Sequence, residues 1–408
     1  MKHVILLGDG MADWPLPELQ GKTPLQFAHT PHMDRMAAEG TLGLIDTIPA
    51  GMTPGSDVAN LAVMGYDPAV FHSGRGPLEA ASMGINLAPG DVAFRCNLVT
   101  LGSAGETVME DFTSGHISSE EARRIVEDLD AKLGSARIKF YPGVGYRHLM
   151  IYKGGPASLE TTPPHDITGR AIADYLPKGE GSEEIRRLME RSRAILKDHP
   201  VNRERAVQGK KAATSIWLWG EGRAPAMEPL TGRYGIKGGI ISAVDLLKGI
   251  GVYAGLEVLP VEGATGYIDT NYRGKAERAL GFLEGGDFVF LHVEAPDEMG
   301  HEGNIEGKIK AIEDFDREVV GRILTGIASL GDFRVMVLSD HPTPIALKTH
   351  SSDFSPFAVL SSVAGENAAA GLSCDEANAR NSGIVVSPGH LLMDHFMKDW
   401  RGFLEKKR

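Results

Sequence analysis

The residues of this chain that could bind metal ions or transfer a group lie close to apolar segments that predict strands. These candidates are Asp9, Ser56, Asp297, His301, Asp340, His341 and His350. The pair Asp340-His341 comes just after the run 333–338, whose aliphatic composition is typical of a buried strand. Carboxylates and imidazoles are both metal ligands, and open α/β sheets bind ligands at the carboxyl ends of their strands. Taken alone, the pair fits two solvated polar residues at a strand end equally well, because two-residue motifs are common.

Ser56 follows the turn Pro54-Gly55 and precedes a segment, 58–64, that predicts a helix. A serine at this position is commonly a helix N-cap. The alternative is a nucleophile at a helix N-terminus, where free N–H groups and the helix dipole favour a phosphoryl group. A serine hydroxyl needs a base or a metal ion to react near neutral pH, and no histidine lies close in sequence. The functional alternative therefore favours a metal ion as the activator.

Other candidates also lie just after predicted strands. Asp9 ends the first predicted strand, between two glycines that let the backbone pass close to another group, although Gly-Asp-Gly is also common in turns. Asp297 and His301 follow the predicted strand 287–293 with the spacing D-x-x-x-H. Because a parallel sheet gathers the carboxyl ends of its strands at one edge, we expect these side chains to lie together.

Seven oxygen and nitrogen donors of this kind suit two divalent metal ions, as used in two-metal phosphoryl chemistry. One ion would ionise Ser56 and the other would bind the phosphoryl oxygens. Carboxylates combined with imidazoles fit Mn²⁺ or Zn²⁺ better than Ca²⁺. Our first choice is Mn²⁺, with Zn²⁺, Co²⁺ and Mg²⁺ as alternatives.

The order of strands and helices around these residues predicts an α/β protein with a doubly wound, mostly parallel sheet. A predicted strand over 3–7 is followed by a helix over 31–39 that ends at Gly40. Near the other end of the chain, a helix over 308–323 precedes the strand 333–338. Strands that alternate with helices are typical of this fold class.

The middle of the chain has a different pattern, typical of an α+β insertion. It contains a predicted strand over 91–100 and an amphipathic helix over 117–132 that begins with a capping sequence. We predict a metal-binding domain and an inserted substrate-binding cap domain. The first comprises residues 1–75 and 235–408, and the second comprises residues 76–234.

The inserted region also contains candidate anion binders. These are His116, Arg147, His165 and Arg170. Most arginines are simply solvated, so a single arginine indicates little. Arg147 is the best candidate, because it interrupts the otherwise apolar strand 146–152.

Composition limits the classes of function. With 408 residues and a net charge of −12, the chain is long enough for two domains and poorly suited to general nucleic-acid binding. It has no apolar run of membrane-spanning length and no signal-peptide pattern at its start. Its two cysteines are far apart, as expected in a reducing cytoplasm. We expect a cytoplasmic enzyme with a small phosphorylated substrate, no nucleic-acid partner and no membrane partner, and the oligomeric state stays open.

Six motifs together resemble a known family over nearly the whole length of the chain. They are LLGDGMAD, MTPGSDVANLAVMGYDP, GRGPLEA, EAPDEMGHEGN, SDHPTP and KTHSSDFSPF. The chain resembles the cofactor-independent phosphoglycerate mutases of the archaeal type, within the alkaline phosphatase superfamily. The resemblance implies an alkaline phosphatase-like fold and the interconversion of 3-phosphoglycerate and 2-phosphoglycerate in glycolysis and gluconeogenesis.

The resemblance also implies roles for individual residues. One metal ion would be held by Asp297, His301 and His350, and the other by Asp9, Ser56, Asp340 and His341. Ser56 would form a phosphoserine, while the bound glycerate reorients and takes the phosphoryl group back on its other hydroxyl. The inserted region would be a mobile cap with substrate-binding arginines. Lys237 is our candidate for a lysine that supports the transferring phosphoryl group.

The inserted region departs from the mutase pattern at two places. Ser114-Gly115-His116-Ile117 stands where the family pattern has an arginine, and 215–220 is similar to a bacterial branch proposed to be homoserine kinases. A phosphotransferase acting on a small alcohol such as homoserine, or a metal-dependent phosphohydrolase, is therefore the alternative to a mutase. A non-catalytic metal-binding protein is a third alternative, disfavoured because every ligand position and the hydroxyl are present.

Overall fold

The computed structural model describes residues 1–103 and 106–407, and its strands form where the sequence is continuously apolar or alternates. The strands are Lys2–Gly8 (β1), Thr41–Ile45 (β2), Asp91–Ser103 (β3), Thr107–Asp111 (β4), Ile138–Tyr141 (β5), Arg147–Lys153 (β6), Ser215–Gly222 (β7), Gly238–Ile241 (β8), Glu257–Val258 (β9), Phe288–Val293 (β10), Phe333–Leu338 (β11), Ser355–Ser361 (β12) and Val385–Val386 (β13). Several predicted strands coincide with these, β11 without any shift of its ends.

The helices connect and cover these strands. They are Pro24–Phe27 (α1), Pro31–Glu39 (α2), Ser56–Val63 (α3), Pro68–Phe71 (α4), Arg75–Ser82 (α5), Ser119–Leu133 (α6), Ser182–Leu196 (α7), Pro200–Val207 (α8), Leu230–Tyr234 (α9), Asp245–Tyr253 (α10), Tyr272–Leu283 (α11), Ala295–Glu302 (α12), Ile305–Phe315 (α13), Gly321–Ile327 (α14), Glu376–Asn381 (α15), Leu392–Lys398 (α16) and Trp400–Lys407 (α17). In the part of the chain that the structure describes, no helix combines the length and apolar character needed to cross a bilayer.

The chain divides into two compact units. Unit 1 comprises Met1–His72 and Ala226–Arg408, and unit 2 comprises Ser73–Pro225. The sequence analysis placed the two changes of unit after residues 75 and 234, whereas the structure has them after residues 72 and 225. Unit 2 is thus an insertion in the sequence of unit 1.

Unit 1 is built on an eight-stranded sheet with the order β13-β2-β12-β11-β1-β10-β8-β9, counted within the described residues. Each neighbouring pair is parallel except the two pairs that β12 makes, with β11 and with β2. The predicted α/β class with a mostly parallel sheet is therefore confirmed. Strands β1, β10 and β11 lie side by side at the centre and are buried almost along their whole length, as expected when helices cover both faces of a sheet.

Unit 2 is an α+β unit around a sheet whose described strands have the order β4-β3-β6-β5, with β7 also paired to β3. All of these pairs are antiparallel. Helix α6 begins with the predicted capping box, because Ser118 accepts from the N–H of Glu121 and the Glu121 carboxylate accepts from the N–H of Ser118. Its apolar face lies in a core that also contains Phe94 and Trp217.

One helical pattern near the end of the chain differs from the structure. The helical spacing of Met, Phe and Trp residues over 389–404 predicts a single helix. The structure interrupts it at Asp399, whose backbone is not helical and whose carboxylate accepts from the N–H of Gly402. An aspartate that bonds a nearby backbone N–H favours a helix start over a helix interior, so α17 begins there anew.

We expect His148 in unit 2 to make the stability of the protein depend on pH. This side chain is 1% exposed, and its Nδ1 accepts from the backbone N–H of Gly143 at 2.9 Å. Burial lowers the pKa of His148 to about 3, from 6.5. Below pH 6.5, His148 binds a proton in the unfolded chain but not in the folded chain. The free energy of unfolding therefore falls as pH drops from 6.5 towards 3. The expected loss from His148 alone is about 2 kcal/mol between pH 7 and pH 5.

The measurement is the free energy of unfolding in denaturant, for the natural chain and for His148→Asn, at several values between pH 7 and pH 5. Asparagine keeps an acceptor near the position of Nδ1 but does not titrate. The stability difference between the two proteins should shrink as pH falls. Parallel pH curves would show that His148 is not the group responsible.

Candidate active site

The carboxyl edge of the unit 1 sheet gathers polar residues from separate strands. Asp9 and Glu294 each follow the last residue of a central strand, β1 and β10, and Asp340 lies two residues beyond β11. These three strands are parallel and in register, with Gly8 opposite Val293 and Leu7 opposite Leu338. Their following residues therefore meet at one edge, as the sequence analysis predicted.

Ser56 is the first residue of α3, and its side chain does not cap that helix. The N-cap residue is Gly55. The Ser56 hydroxyl instead lies 3.1 Å from Nε2 of His341. The N-cap interpretation, left open by the sequence, is thus wrong, and the hydroxyl is directed towards the polar edge of the sheet.

Asp297, His301 and His350 form what we name the histidine-rich group. Asp297 and His301 lie on α12, one turn apart, so both side chains project from the same face. Nε2 of His301 lies 3.1 Å from Oδ2 of Asp297, and Nε2 of His350 lies 3.5 Å from Oδ1 of Asp297. The two Nε2 atoms are themselves only 3.0 Å apart. Three ligand atoms therefore converge on one small volume.

The contacts of Nδ1 in His301 and in His350 indicate which nitrogen of each ring carries the hydrogen. Nδ1 of His301 lies 3.1 Å from the carbonyl oxygen of Lys348, and Nδ1 of His350 lies 3.4 Å from that of Pro54. A carbonyl oxygen can only accept, so we assign the hydrogen to Nδ1 in both rings. In neutral rings both Nε2 atoms then present lone pairs to one another and to a carboxylate. Either a proton or a metal ion must therefore lie between these atoms.

Asp9, Asp340 and His341 form what we name the aspartate-rich group. Nε2 of His341 lies 3.5 Å from Oδ1 of Asp9 and 3.5 Å from Oδ2 of Asp340. All three side chains are fully buried. Nδ1 of His341 is 3.3 Å from the hydroxyl of Thr343, which itself donates to Asp297. The Thr343 hydroxyl thus accepts from Nδ1–H, and Nε2 of His341 is again left as a ligand atom.

A glycine at position 10 makes this close approach of strands and loops feasible. Gly10 has φ +58°, and a Cβ atom there would lie 2.5 Å from Oδ1 of Asp297 and from the hydroxyl oxygen of Thr343. The backbone N–H of Gly10 donates to Oδ1 of Asp340 at 3.2 Å. The glycine therefore lets the backbone pass between the two ligand groups.

The charges in this centre act strongly on one another. Burial would raise the pKa of Asp297, but hydrogen bonds from His301 and His350 outweigh it and hold that pKa well below its usual range. The hydrogen bond to Asp297 raises the pKa of His301 to about 9. Burial, and next the charge of Asp340, raises the pKa of Asp9. The centre thus holds buried negative charge that cations, either protons or metal ions, must offset.

The side chains present fit two divalent metal ions. Within the described residues, the ligand atoms of the histidine-rich group lie within 4.8 Å of one another, and the same is true of the aspartate-rich group. Oδ1 of Asp9 is buried and has no hydrogen-bond partner in the described part of the chain. A buried, unpaired carboxylate oxygen costs free energy unless a cation approaches it. Carboxylate and imidazole donors together are suited to Mn²⁺ or Zn²⁺.

The sequence analysis missed three residues that lie beside these ligands. Asn60 donates to Oδ2 of Asp340 at 2.8 Å, and His292 lies 2.8 Å from Oδ2 of Asp9. The third is Glu294, 3.3 Å from the same histidine nitrogen. The available signals were a polar residue inside an apolar strand for His292, and the position one helical turn after Ser56 for Asn60.

Lys237, predicted as catalytic, lies at the other end of the sheet. It precedes β8, and the next residue, Gly238, pairs with Phe288 at the start of β10. Because β10 has six residues, Lys237 is about 20 Å from its carboxyl end. Its ammonium lies 5.5 Å from the ring of Phe282. The structure thus does not bring Lys237 to the ligand groups, and we do not retain its catalytic role.

In unit 2, Arg147 belongs to a cationic group of side chains. Partial burial lowers the pKa of His165, the Asp166 carboxylate opposes this, and nearby arginine charges lower the pKa further. These arginines are Arg75, Arg95 and Arg147. The guanidinium of Arg95 lies 4.3 Å from the centre of the Trp219 ring, and the His165 ring packs edge-on against the same indole at 5.6 Å. Because Arg95 is paired with the Glu79 carboxylate at 3.0 Å, Arg147 remains the predicted anion binder here.

The two other predicted anion binders of unit 2 are exposed. His116 has φ +49° in a left-handed turn, and its backbone N–H donates to Thr113. Arg170 donates to the hydroxyl of Tyr175 at 3.4 Å. Their part in binding an anion stays a prediction.

Comparison with known proteins is consistent with this geometry. A family model described as 2,3-bisphosphoglycerate-independent phosphoglycerate mutase matches residues 37–202. The mutase of that name from Methanosarcina barkeri is 56% identical over 361 residues, which cover 88% of this chain and 90% of that one. A solved structure from Pyrococcus horikoshii has a TM-score of 0.81 at 29% identity, covering 97% of both chains. The cofactor-independent phosphoglycerate mutase from Thermoplasma acidophilum has a TM-score of 0.66 at 26% identity, covering 98% of this chain and 99% of that one.

Identity above one half over most of both chains shows the family. The chain belongs to the 2,3-bisphosphoglycerate-independent phosphoglycerate mutases.

Proposed function

We propose that this protein interconverts 3-phosphoglycerate and 2-phosphoglycerate without 2,3-bisphosphoglycerate, through a phosphoserine formed on Ser56. The observation that carries the proposal is the Ser56 hydroxyl, 3.1 Å from Nε2 of His341. That nitrogen belongs to the aspartate-rich group, and Thr343 links this group to the histidine-rich group. Membership of the mutase family supports the substrate.

The histidine-rich group would hold one divalent ion, and the aspartate-rich group together with Ser56 would hold the other. When bound, the two ions would lower the pKa of the serine hydroxyl and stabilise negative charge on the phosphoryl oxygens. Mn²⁺ remains our first choice, because the donors combine carboxylates and imidazoles.

The residues of the chain itself would act as follows. Ser56 Oγ loses its proton and forms a bond to phosphorus as the bond from phosphorus to the glycerate oxygen breaks, and the freed glycerate oxygen takes up a proton to become a hydroxyl. Ser56 lies at the N-terminus of α3, where the helix dipole favours the negative charge of the phosphoryl group. After the glycerate reorients, its other hydroxyl loses a proton and attacks phosphorus. The bond from phosphorus to Ser56 Oγ breaks, and Oγ takes up a proton again.

Retention of glycerate between the two transfers requires groups that hold its carboxylate. Arg147 in unit 2 stays our predicted binder of that carboxylate. Arginine is suited to this role, because its planar fork can donate two parallel hydrogen bonds to one carboxylate.

The assay that tests this function uses purified protein loaded with Mn²⁺, 3-phosphoglycerate as substrate and no added 2,3-bisphosphoglycerate. We expect 2-phosphoglycerate to form, and a strong chelator to reduce the rate by at least about 100-fold until Mn²⁺ is restored. Lack of conversion, with phosphorylation of homoserine by a phosphoryl donor, would favour the kinase alternative. Release of inorganic phosphate would indicate a phosphohydrolase. Full activity in the presence of chelator would contradict the metal centre.

A further inference from the structure

His292 is a fully buried histidine that none of the sequence motifs assigns to the centre. It lies in β10, where its neighbours Leu291 and Val293 are apolar and equally buried. Its ring nevertheless has polar contacts at both nitrogens. Nε2 lies 2.8 Å from Oδ2 of Asp9, and Nδ1 lies 3.1 Å from the hydroxyl of Ser242.

The contacts of Ser242 indicate which nitrogen of His292 carries the hydrogen. The Ser242 hydroxyl oxygen accepts from the N–H of Val244 at 3.0 Å, and the carbonyl oxygen of Val244 is 3.5 Å away. The hydroxyl hydrogen therefore finds its better acceptor in Nδ1 of His292. A neutral ring that accepts at Nδ1 carries its hydrogen on Nε2. Nε2–H then donates to Oδ2 of Asp9.

This donation leaves the two oxygens of Asp9 with different roles. Oδ2 is held by His292, whereas Oδ1, which has no hydrogen-bond partner among the described residues, lies 3.5 Å from Nε2 of His341 in the aspartate-rich group. The backbone of His292 is itself anchored, because the buried ammonium of Lys275 donates to its carbonyl oxygen at 3.0 Å. The carboxylate of Asp9 is thereby fixed in one orientation.

We propose that His292 is a positioning residue, which orients Asp9 so that only Oδ1 is offered to a metal ion. The hydrogen-bonded chain runs from Ser242 through His292 to Asp9. This inference rests on the proposed function, since it assumes that the aspartate-rich group holds an ion. Partners of this kind, which hold a ligand without touching the metal, typically contribute a factor of about 10 to 100 in metal affinity.

His292 could instead be a ligand of a third ion. Ligand atoms of Asp9, His292 and Glu294 also lie within 4.8 Å of one another. Nε2 of His292 would then need a lone pair instead of a hydrogen. The contacts of Ser242 favour the hydrogen at Nε2, so we assign His292 as a donor to the carboxylate. The number of ions bound per chain distinguishes the two roles.

The test is a titration of the metal-free protein with Mn²⁺, in which free Mn²⁺ is followed by its electron paramagnetic resonance signal. We expect the natural chain to bind two ions. In His292→Leu one of them should bind about 10-fold to 100-fold more weakly. In His292→Gln, whose amide N–H reaches the position of Nε2–H, most of that affinity should return. Ser242→Ala should weaken the same ion without touching Asp9.

The matched control is His3→Leu, which removes another buried histidine from a central strand of the same sheet. His3 lies near the amino end of β1, where its ring packs against Phe396 at 5.6 Å, so its loss should leave Mn²⁺ affinity unchanged. Unchanged Mn²⁺ affinity in His292→Leu and Ser242→Ala would overturn this inference but not the proposed function. So would three ions in the natural chain with the loss of one in His292→Leu. Absence of Mn²⁺ binding in the natural chain would instead overturn the proposed function.

Discussion

Ser56→Ala should abolish turnover of 3-phosphoglycerate while the protein still binds two Mn²⁺ ions. The substitution removes the only atom of this residue that can form a bond to phosphorus, and the carboxylates and imidazoles of both ligand groups remain. Loss of a nucleophile commonly costs a factor of 10³ or more, so we expect a fall of at least about 1,000-fold in kcat. The rate is measured as the formation of 2-phosphoglycerate, and the bound metal by elemental analysis of the desalted protein.

Ser182→Ala is the matched control for this substitution. Ser182, like Ser56, is the first residue of a helix and follows a glycine N-cap, but it lies on α7 in unit 2. It should leave kcat close to that of the natural chain. A Ser56→Ala protein that keeps near-normal activity would refute the phosphoserine mechanism. Phosphate trapped on Ser56 after rapid acid quench of the natural enzyme, and detected by mass spectrometry, would support the mechanism directly.

Asp297→Asn should lower the number of bound Mn²⁺ ions from two to one and reduce activity by at least about 100-fold. The carboxylate of Asp297 lies between His301 and His350, and an amide of the same shape lacks the charge that holds a cation there. In the metal-free protein, the same substitution removes the hydrogen bond that raises the pKa of His301 to about 9. That pKa should therefore fall, which an NMR titration of the His301 ring protons can measure independently of activity.

Asp332→Asn serves as the control, because Asp332 is an exposed aspartate in the turn before β11. It removes one negative charge from unit 1 without a change in the ligand groups, so both metal content and rate should be unchanged. If Asp297→Asn still bound two ions with unchanged affinity, the assignment of the histidine-rich group as a metal ligand set would be wrong.

The sequence alone predicted much of the frame of the centre, because the signals involved are local. A continuous apolar run marks a central strand whatever the rest of the chain does, and the polar residue just beyond it marks the strand end. This reasoning placed Asp9 and Asp340 at the carboxyl edge of the sheet, where the structure also has them. The spacing of Asp297 and His301 likewise predicted one shared face, and both lie on α12.

Other features depended on pairings between distant segments. Lys237 stands before an apolar strand and its sequence does not say which end of the sheet it will face, whereas the register of β8 with β10 places it at the amino end. Whether the serine after Pro54-Gly55 caps its helix or faces a histidine also depends on a contact across 285 residues of sequence. Periodicity and turn residues carry no information about such contacts.

The chemistry of the centre therefore has two origins. The types of its ligands and their positions at strand ends are determined by the sequence, since strand formation and side-chain alternation are short-range properties of the chain. Only the tertiary structure decided that two imidazole nitrogens meet at 3.0 Å, that Ser56 lies against His341, and that the buried His292 holds Asp9. These contacts form when separate strands and loops pack at one edge, and packing of that kind is a property of the whole sheet rather than of any segment within it.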